Sequence, residues 1–230
     1  MTLSIIIPCY NEEKNIPLIL ARFSEFIIPN MEVIIVNNGS NDNSAAVLLE
    51  MAKKYFFFKV VNVPVNKGYG YGIVQGLRCA SGDYIGWTHA DMQTDVYDTL
   101  RAYRILASSS EKIFVKGRRR NRPFIDTLFT FGMSVFESIL LKTMLFDINA
   151  QPNFFPKEFF DEWENTPFDF SLDLYALYMA KLKKLKIIRF NVLFNKRIHG
   201  QSHWNTGLKS KWKFIKRTIN YSFKLKKEVV

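Results

Sequence analysis

The sequence predicts an α/β fold in which a mostly parallel sheet is flanked by helices, on the basis of three observations. Short apolar runs recur along the first 106 residues, and each leads into a polar loop and then a stretch of helical length. The loops always follow the strands, which indicates right-handed crossovers between parallel strands. The 230 residues are 48 % apolar, enough to fill the core of one large domain.

The first four strands can be placed in order. Residues 3–8 are a β-branched run that ends at Pro8, which is typical of a buried parallel strand. A helix is expected from about residue 16, with Pro17 in its first turn and Asn15 as a candidate cap. The following units are strands at residues 31–36, 57–63 and 83–87 and helices at residues 45–54 and 73–80.

The second half, before the tail, is expected to hold two further strands and a long apolar helix. Strands are predicted at residues 112–116 and 186–193, the first leading into a basic loop at residues 117–122. Apolar residues at helical spacing predict a helix over residues 124–145. Most such stripes pack in a core, but a face this rich in Phe also suits lipid or a lipid-linked acceptor.

The residues most able to carry chemistry follow the fourth strand. Asp91 and Gln93 lie just beyond it, and open α/β sheets bind ligands at the carboxyl ends of their strands. Their side-chain oxygens suit Mg²⁺ or Mn²⁺ bound to a diphosphate. An isolated Asp-x-Gln is more often a polar surface turn, so the prediction depends on the other loops at this edge.

Three other loops end strands at the same edge. Residues 8–12 bring Pro8, Tyr10, Asn11 and Glu12, a ring and a carboxylate suited to a nucleoside. The amides of Asn37 and Asn38 suit a base edge, while Lys67 offers charge and Gly68 lets backbone approach a ligand. Taken alone, each loop contains only the residue types that tight turns commonly use. Four of them on one sheet edge predict a nucleotide site.

The order of these motifs resembles family 2 glycosyltransferases, inverting enzymes with the GT-A nucleotide-sugar fold. The resemblance rests on residues 8–16, 37–42, 66–70 and 82–85, is close up to about residue 100, and is nearest to the polyprenyl-phosphate sugar synthases of the dolichol-phosphate mannose synthase type. The family's Asp-Asp-Gly-Ser is Asn37-Asn38-Gly39-Ser40 here. Its Asp-x-Asp is His89-Ala90-Asp91, which replaces one metal-side carboxylate with imidazole.

The resemblance implies roles for residues in the second half as well. Arg119 and Arg197 would contact the donor diphosphate, as would Ser202 in an Arg-x-x-Gly-x-Ser segment. Asp173 is the predicted base that takes a proton from the acceptor, with Asp169 as the rival and a helix cap as its alternative role. His89 is expected to contact metal or phosphate, with simple packing as the alternative. Residues 147–155 would be a loop that shapes the acceptor side.

Charge divides the chain unevenly. Residues 181–230 hold 15 Lys and Arg against one acidic residue, a net of +14, whereas residues 1–180 hold 17 basic and 20 acidic residues, a net of −3. From Leu208 onward, Trp212, Ile215, Ile219 and Phe223 form an apolar stripe beside lysines, which predicts an interfacial helix or, alternatively, a docked helix with solvated lysines. The expected organisation is a domain at 1–205, with a nucleotide-binding half at 1–106 and an acceptor half at 107–205, and a tail at 206–230.

The sequence thus predicts a metal-dependent transferase that moves a sugar from a nucleoside-diphosphate sugar to a lipid-linked or glycan acceptor. Two cysteines, no basic leader and no long apolar run favour a cytoplasmic protein peripheral to an anionic membrane surface. An enzyme of nucleotidyl transfer would usually have a glycine-rich loop with Arg and Lys straight after the first strand, and residues 9–15 contain no such loop. A basic nucleic-acid-binding module and a GT-A protein that binds without catalysis remain alternatives, although no nucleic-acid partner is expected.

Overall fold

The computed structural model describes residues 1–199 and 208–229, which form a seven-stranded sheet with helices on both faces. The strand order is β3-β2-β1-β4-β6-β5-β7. The strands are β1 Leu3–Cys9, β2 Met31–Asn38, β3 Phe58–Val63, β4 Tyr84–Trp87, β5 Ile113–Arg120, β6 Asn153–Pro156 and β7 Lys186–Leu193. The helices are α1 Asn15–Ser24, α2 Ser44–Lys54, α3 Tyr69–Arg78, α4 Asp98–Ala107, α5 Phe124–Leu140, α6 Lys157–Asp161, α7 Leu172–Leu182 and α8 Leu208–Val229.

The first half confirms the expected parallel arrangement. β1 pairs in parallel with β2 on one side and with β4 on the other, so the polar loops after these strands meet at one edge. Alternate residues of β1 face opposite sides, with Ile6 in one buried apolar cluster and Ile5 and Ile7 in the other. Both faces are covered by helices, which is why β1 carries consecutive apolar residues at Ile5, Ile6 and Ile7.

The second half contains a strand that the sequence did not reveal. Residues 147–155 were expected to form a loop, but β6 occupies part of this stretch and runs antiparallel between β4 and β5. β6 has only four residues, too few for a clear alternation of apolar and polar side chains. A Cβ on Gly86 would lie 1.8 Å from the Asn153 carbonyl oxygen, so glycine at this position permits the close approach of β6.

Several predicted boundaries are wrong for local reasons. The predicted basic loop at 117–120 is strand, because β5 continues to Arg120 alongside β7. Asn15 does not cap α1 from outside; it is the first residue of the helix, and its amide donates to a Glu12 carboxylate oxygen at 2.5 Å. The helix predicted over 124–145 ends at Leu140.

Among its described side chains, the helix α8 packs some against the body of the protein and exposes others. Leu225 and Ser222 are buried, and Arg217 forms an ion pair with Asp169 at 3.0 Å. Trp212 is 67 % exposed, so the apolar stripe predicted for this helix is not a single buried face. No helix within residues 1–199 and 208–229 combines the length and apolar content needed to cross a membrane.

Candidate active site

A cavity of about 510 Å³ opens at the carboxyl ends of β1 and β4. Its size is typical of a small-molecule site. One part of its wall comes from the loops that follow these strands, and another from α5, α7 and α8. The predicted site residues that line it are Pro8, Tyr10, Glu12, Asn38, His89, Ala90, Asp91, Gln93, Arg119, Asp173 and Arg197. The edge chosen from the sequence is therefore the mouth of a cavity.

Asp91 and Gln93, the predicted metal ligands, are both bonded to Arg197. The guanidinium places Nη2 2.8 Å from Asp91 Oδ2 and Nε 3.3 Å from Gln93 Oε1. Asp91 is buried, and its other oxygen accepts the backbone N–H of Gln93. The side-chain amide of Gln93 also donates to the Asn195 carbonyl oxygen, which ties this loop to the segment after β7. In this structure Arg197 thus supplies the positive charge at the predicted metal position.

The donor set fits a divalent ion that shares its coordination with a ligand. Asp91 offers a carboxylate and Gln93 an amide oxygen, which are hard donors suited to Mg²⁺ or Mn²⁺. Among the described residues, no group of three or more His, Cys, Asp or Glu could hold a metal ion unaided. An ion bound here would therefore take its remaining ligands from water and from phosphate oxygens of a donor.

Two further groups that line the cavity, His89 and Glu12, have pKa values shifted in the direction that favours the neutral form. Burial lowers the pKa of His89, against an opposing effect from Asp91, so the imidazole is neutral near pH 7 and keeps a nitrogen lone pair. The His89 ring also lies 6.2 Å from that of Tyr69, so it packs and faces the cavity at once. Burial raises the pKa of Glu12 to about 7, opposed by the hydrogen bond from Asn15.

Asp173 is held in the cavity wall by neighbours that are distant in the sequence. Its Oδ1 accepts hydrogen bonds from Trp87 Nε1 at 3.3 Å and from Asn153 Nδ2 at 3.1 Å. The Asn153 side-chain oxygen in turn accepts from buried Lys116 at 2.6 Å. Burial raises the pKa of Asp173, and the positive charge of Lys116 opposes this rise. A fixed carboxylate with a raised pKa is suited to accept a proton.

Arg119 reaches the cavity as part of a buried ion pair. Its Nε and Nη2 both donate to Asp147 Oδ1, at 2.8 and 2.5 Å, and its backbone N–H donates to Asp147 Oδ2. Arg119 keeps the pKa of Asp147 below its usual range despite burial. This carboxylate fixes the direction of the guanidinium, which has five N–H donors and so retains capacity for a phosphate.

Four of the predicted nucleotide-binding residues lie outside the cavity lining and hold the loops instead. Asn11, at a φ of 57°, accepts from the backbone of Asn41, and Asn37 bonds to Asn62 and to the Ser40 N–H. Lys67 lies over the ring of Tyr71 at 5.1 Å. Gly68 has a φ of 121°, and a Cβ there would lie 2.2 Å from the Phe168 carbonyl oxygen.

Asp169, the rival candidate for the base, is also absent from the described wall of the cavity. Asp169 lines a separate surface cleft and bonds to Arg217 and to the Ser171 backbone N–H, as expected of a residue that caps a turn. The geometry therefore favours Asp173 over Asp169 as the base. Ser202 lies outside the described residues.

Sequence reasoning missed several residues that line the cavity. They come from α5, from the residues just before it and from the loop before α7: Arg122, Asp126, Phe129, Met133, Glu137, Phe170 and Ser171. Phe170 stacks on Tyr69 with ring centroids 4.6 Å apart. A signal for α5 was available, because Phe129, Met133 and Glu137 are spaced by four and so share one helix face.

Comparisons with known proteins agree with this architecture. At 26 % identity, 99 % of the chain aligns with 64 % of the dolichol-phosphate mannosyltransferase of Pyrococcus furiosus. At 27 % identity, 84 % of it aligns with 65 % of the dolichyl-phosphate beta-glucosyltransferase ALG5D of Trichomonas vaginalis. The chain thus spans slightly less than two thirds of the length of these relatives.

Solved structures show the same fold. Glucosyl-3-phosphoglycerate synthase from Mycobacterium tuberculosis, in complex with Mn²⁺, UDP and glucosyl-3-phosphoglycerate, superposes with a TM-score of 0.76 at 16 % identity. The match covers 98 % of this chain and 79 % of that one. Its complex with Mn²⁺, UDP-glucose and phosphoglyceric acid gives a TM-score of 0.74 at 17 % identity, over 96 % and 79 % of the two chains. Since the profile of glycosyl transferase family 2 matches residues 4–171, about three quarters of the sequence, the chain belongs to that family.

Proposed function

We propose that this protein transfers a sugar from a nucleoside-diphosphate sugar to an acceptor, with Mg²⁺ or Mn²⁺ and with inversion at the anomeric carbon. The observation that carries the proposal is the cavity that joins Asp91, Arg197 and Asp173. Its lining combines oxygen ligands and guanidinium groups with a fixed carboxylate. The related synthase has been solved in complex with Mn²⁺ and UDP-glucose, which supports a donor of this class.

The donor's diphosphate would lie among Asp91, Gln93, Arg119 and Arg197. Asp91 and Gln93, with His89 as a further candidate ligand, would hold a divalent ion, whose positive charge would stabilise the departing diphosphate. Arg197 would leave Asp91 when the ion binds, and its freed guanidinium would then contact phosphate oxygens. Arg119, fixed by Asp147, adds a second guanidinium that needs no rearrangement.

Asp173 would act on the acceptor. Its carboxylate takes the proton of the acceptor hydroxyl while that oxygen forms a bond to the anomeric carbon. The bond from this carbon to the diphosphate oxygen breaks, and the nucleoside diphosphate leaves with the electron pair. Attack from the face opposite the leaving group gives inversion. An acceptor that is already a phosphate would need no base, and Asp173 would then only position it.

The acceptor is proposed to be lipid-linked or a glycan, and the protein is proposed to work at the cytoplasmic face of a membrane. The support is the outer side of α5, where Phe124, Ile125, Leu128, Phe131 and Ile139 are 55–79 % exposed. No exposed residue of this helix carries a charge. An uncharged apolar face beside a chain segment of net charge +14 suits an anionic lipid surface. The names of the two curated relatives, which mention dolichol phosphate, also support a lipid-linked acceptor.

A thermal-shift screen tests the donor proposal directly. Nucleotide sugars with different bases and sugars would be added with and without Mn²⁺, because a ligand that binds only the folded state raises the melting temperature. We expect one class of donor to raise it further when Mn²⁺ is present. The Asp91→Ala variant should lose that metal-dependent increment and the metal-dependent turnover. Unchanged turnover in Asp91→Ala would remove the central assignment.

A further inference from the structure

Glu137 on α5 is a buried carboxyl that the fold leaves without a hydrogen-bond partner. Its exposed fraction is 0 %, and neither side-chain oxygen has a partner in the part of the chain that the structure describes. It nevertheless lines the cavity that holds Asp91 and Asp173. Ser222 on α8 is nearby, but its hydroxyl donates to the Thr218 carbonyl oxygen at 2.8 Å.

An unpartnered buried carboxyl is unfavourable for stability, so its presence needs another explanation. Burial raises the pKa of Glu137 to about 7, opposed in part by Ser222. The proposed transfer does not use this residue. Three other cavity-lining residues have a buried polar atom without a partner: Asn38 Oδ1, Arg122 Nε and Ser171 Oγ. Together these atoms indicate that the cavity is completed by a polar ligand.

The chemistry of Glu137 restricts what that ligand presents to it. A carboxyl oxygen needs a donor, so the ligand must bring O–H or N–H groups. A phosphate oxygen would bring acceptors and negative charge. An ammonium group would need all its donors satisfied, yet Phe129, Met133 and Leu174 contribute apolar surface to the lining of this cavity. A hydroxyl group can donate to Glu137 and can accept from it when Glu137 is protonated.

We infer that Glu137 recognises a hydroxyl-bearing sugar or polyol group in a subsite of this cavity. The inference rests on the proposed function and makes it more specific. The group has two sources, the sugar of the donor or the acceptor itself, and both present hydroxyls. If it belongs to the acceptor, Glu137 selects a hydroxylated acceptor over a prenyl phosphate at this position.

The test uses Glu137→Leu, which removes the polar atoms at similar volume, and Glu137→Gln, which keeps an acceptor and a donor. Glu50→Gln on the exposed face of α2 is the matched control for the lost charge. Steady-state kinetics would be measured with the best nucleotide sugar and either octyl β-glucoside or farnesyl phosphate as acceptor. Hydrolysis of the donor in water, without any acceptor, would be measured in parallel.

If the acceptor is the source, Glu137→Leu should raise the KM for octyl β-glucoside by about 10-fold to 100-fold. The KM for the donor, donor hydrolysis and the kinetics with farnesyl phosphate should stay within about threefold of wild type. If the donor sugar is the source, the donor KM should rise instead, while the nucleoside diphosphate alone binds as in wild type. In both cases Glu137→Gln should stay near wild type, and Glu137→Leu should raise the melting temperature because it removes an unpartnered buried polar group.

Three results would overturn the inference. The first is Glu137→Leu with unchanged KM values for both the glucoside and the donor. The second is a lower melting temperature in Glu137→Leu, which would make the residue structural. The third is a KM increase confined to farnesyl phosphate. If wild type transfers no sugar from any donor, the proposed function fails, and calorimetric titration with methyl β-glucoside then decides the subsite by itself: equal binding by wild type and Glu137→Leu refutes it.

Discussion

Replacing Arg197 with Met should strengthen the binding of Mn²⁺ alone and weaken the binding of the nucleotide-sugar donor. In the structure Arg197 donates to Asp91 at 2.8 Å and to Gln93 at 3.3 Å, the two proposed metal ligands. The ion must therefore displace a guanidinium before it can bind. Because the donor diphosphate is proposed to receive that guanidinium afterwards, the same substitution should have opposite effects on the two ligands.

The size of the effect follows from the environment of the pair. The Asp91 side chain is 6 % exposed and that of Arg197 is 24 % exposed, so solvent screens the pair only in part. A hydrogen bond to a charged group contributes about 1.5–3 kcal/mol in such settings. Since about 1.4 kcal/mol corresponds to a factor of ten in affinity, Arg197→Met should bind Mn²⁺ about 10-fold to 100-fold more tightly without nucleotide.

Electron paramagnetic resonance of free Mn²⁺ measures this binding without any turnover. Arg120→Met is the matched control, because it also removes one positive charge, while Arg120 bonds to Asn191 and lies outside the cavity lining. Asp91→Asn in the Arg197→Met background should abolish the gain. An Arg197→Met protein that binds Mn²⁺ no more tightly than wild type would refute the reasoning. So would an equal gain in the Arg120→Met control.

Three further predictions address the base, the membrane face and the buried carboxyl. Asp173→Asn should lower kcat by about 10²-fold to 10⁴-fold with a hydroxyl acceptor. It should also abolish the loss of activity that wild type is expected to show as pH falls through the raised pKa of Asp173. An unchanged pH–rate profile would contradict the role of Asp173 as base. The double variant Leu128→Ser and Phe131→Ser should reduce co-sedimentation with anionic vesicles at least about tenfold. Phe56→Ser, which alters an exposed Phe outside α5, should have little effect. Equal losses in the two proteins would refute the proposal that α5 contacts the membrane. Burial raises the pKa of Glu137 to about 7, so the stability that the protonated carboxyl retains is fully present below about pH 4.5 and is lost as pH rises through about 7. In urea unfolding, wild type should therefore lose up to roughly 3 kcal/mol of unfolding free energy relative to Glu137→Gln between pH 4.5 and pH 8. Parallel pH curves for the two proteins would contradict this.

The sequence by itself determined the order of the elements in the first half of the chain and indicated one edge of the sheet as the site. Strand periodicity and loop chemistry are local properties, so four strands and the loops after them could be placed from neighbouring residues alone. Parallel pairing then required those loops to meet, and that step brought Pro8, Asn38 and Asp91 to one cavity. The resemblance to family 2 glycosyltransferases added Arg119, Arg197 and Asp173, which no local pattern marks as partners.

Only the tertiary structure decided how those side chains are held. Trp87 bonds to Asp173 across 86 residues, and Arg197 to Gln93 across 104. Such pairs leave no periodic signal, because their partners are brought together by packing between distant elements. The same is true of β6, which brings Asn153 to Asp173, and of Glu137, whose unpartnered carboxyl depends on how α5 and α8 meet. The sequence predicts which chemistry this edge of the sheet offers, and long-range packing determines which groups are paired and which remain for a ligand.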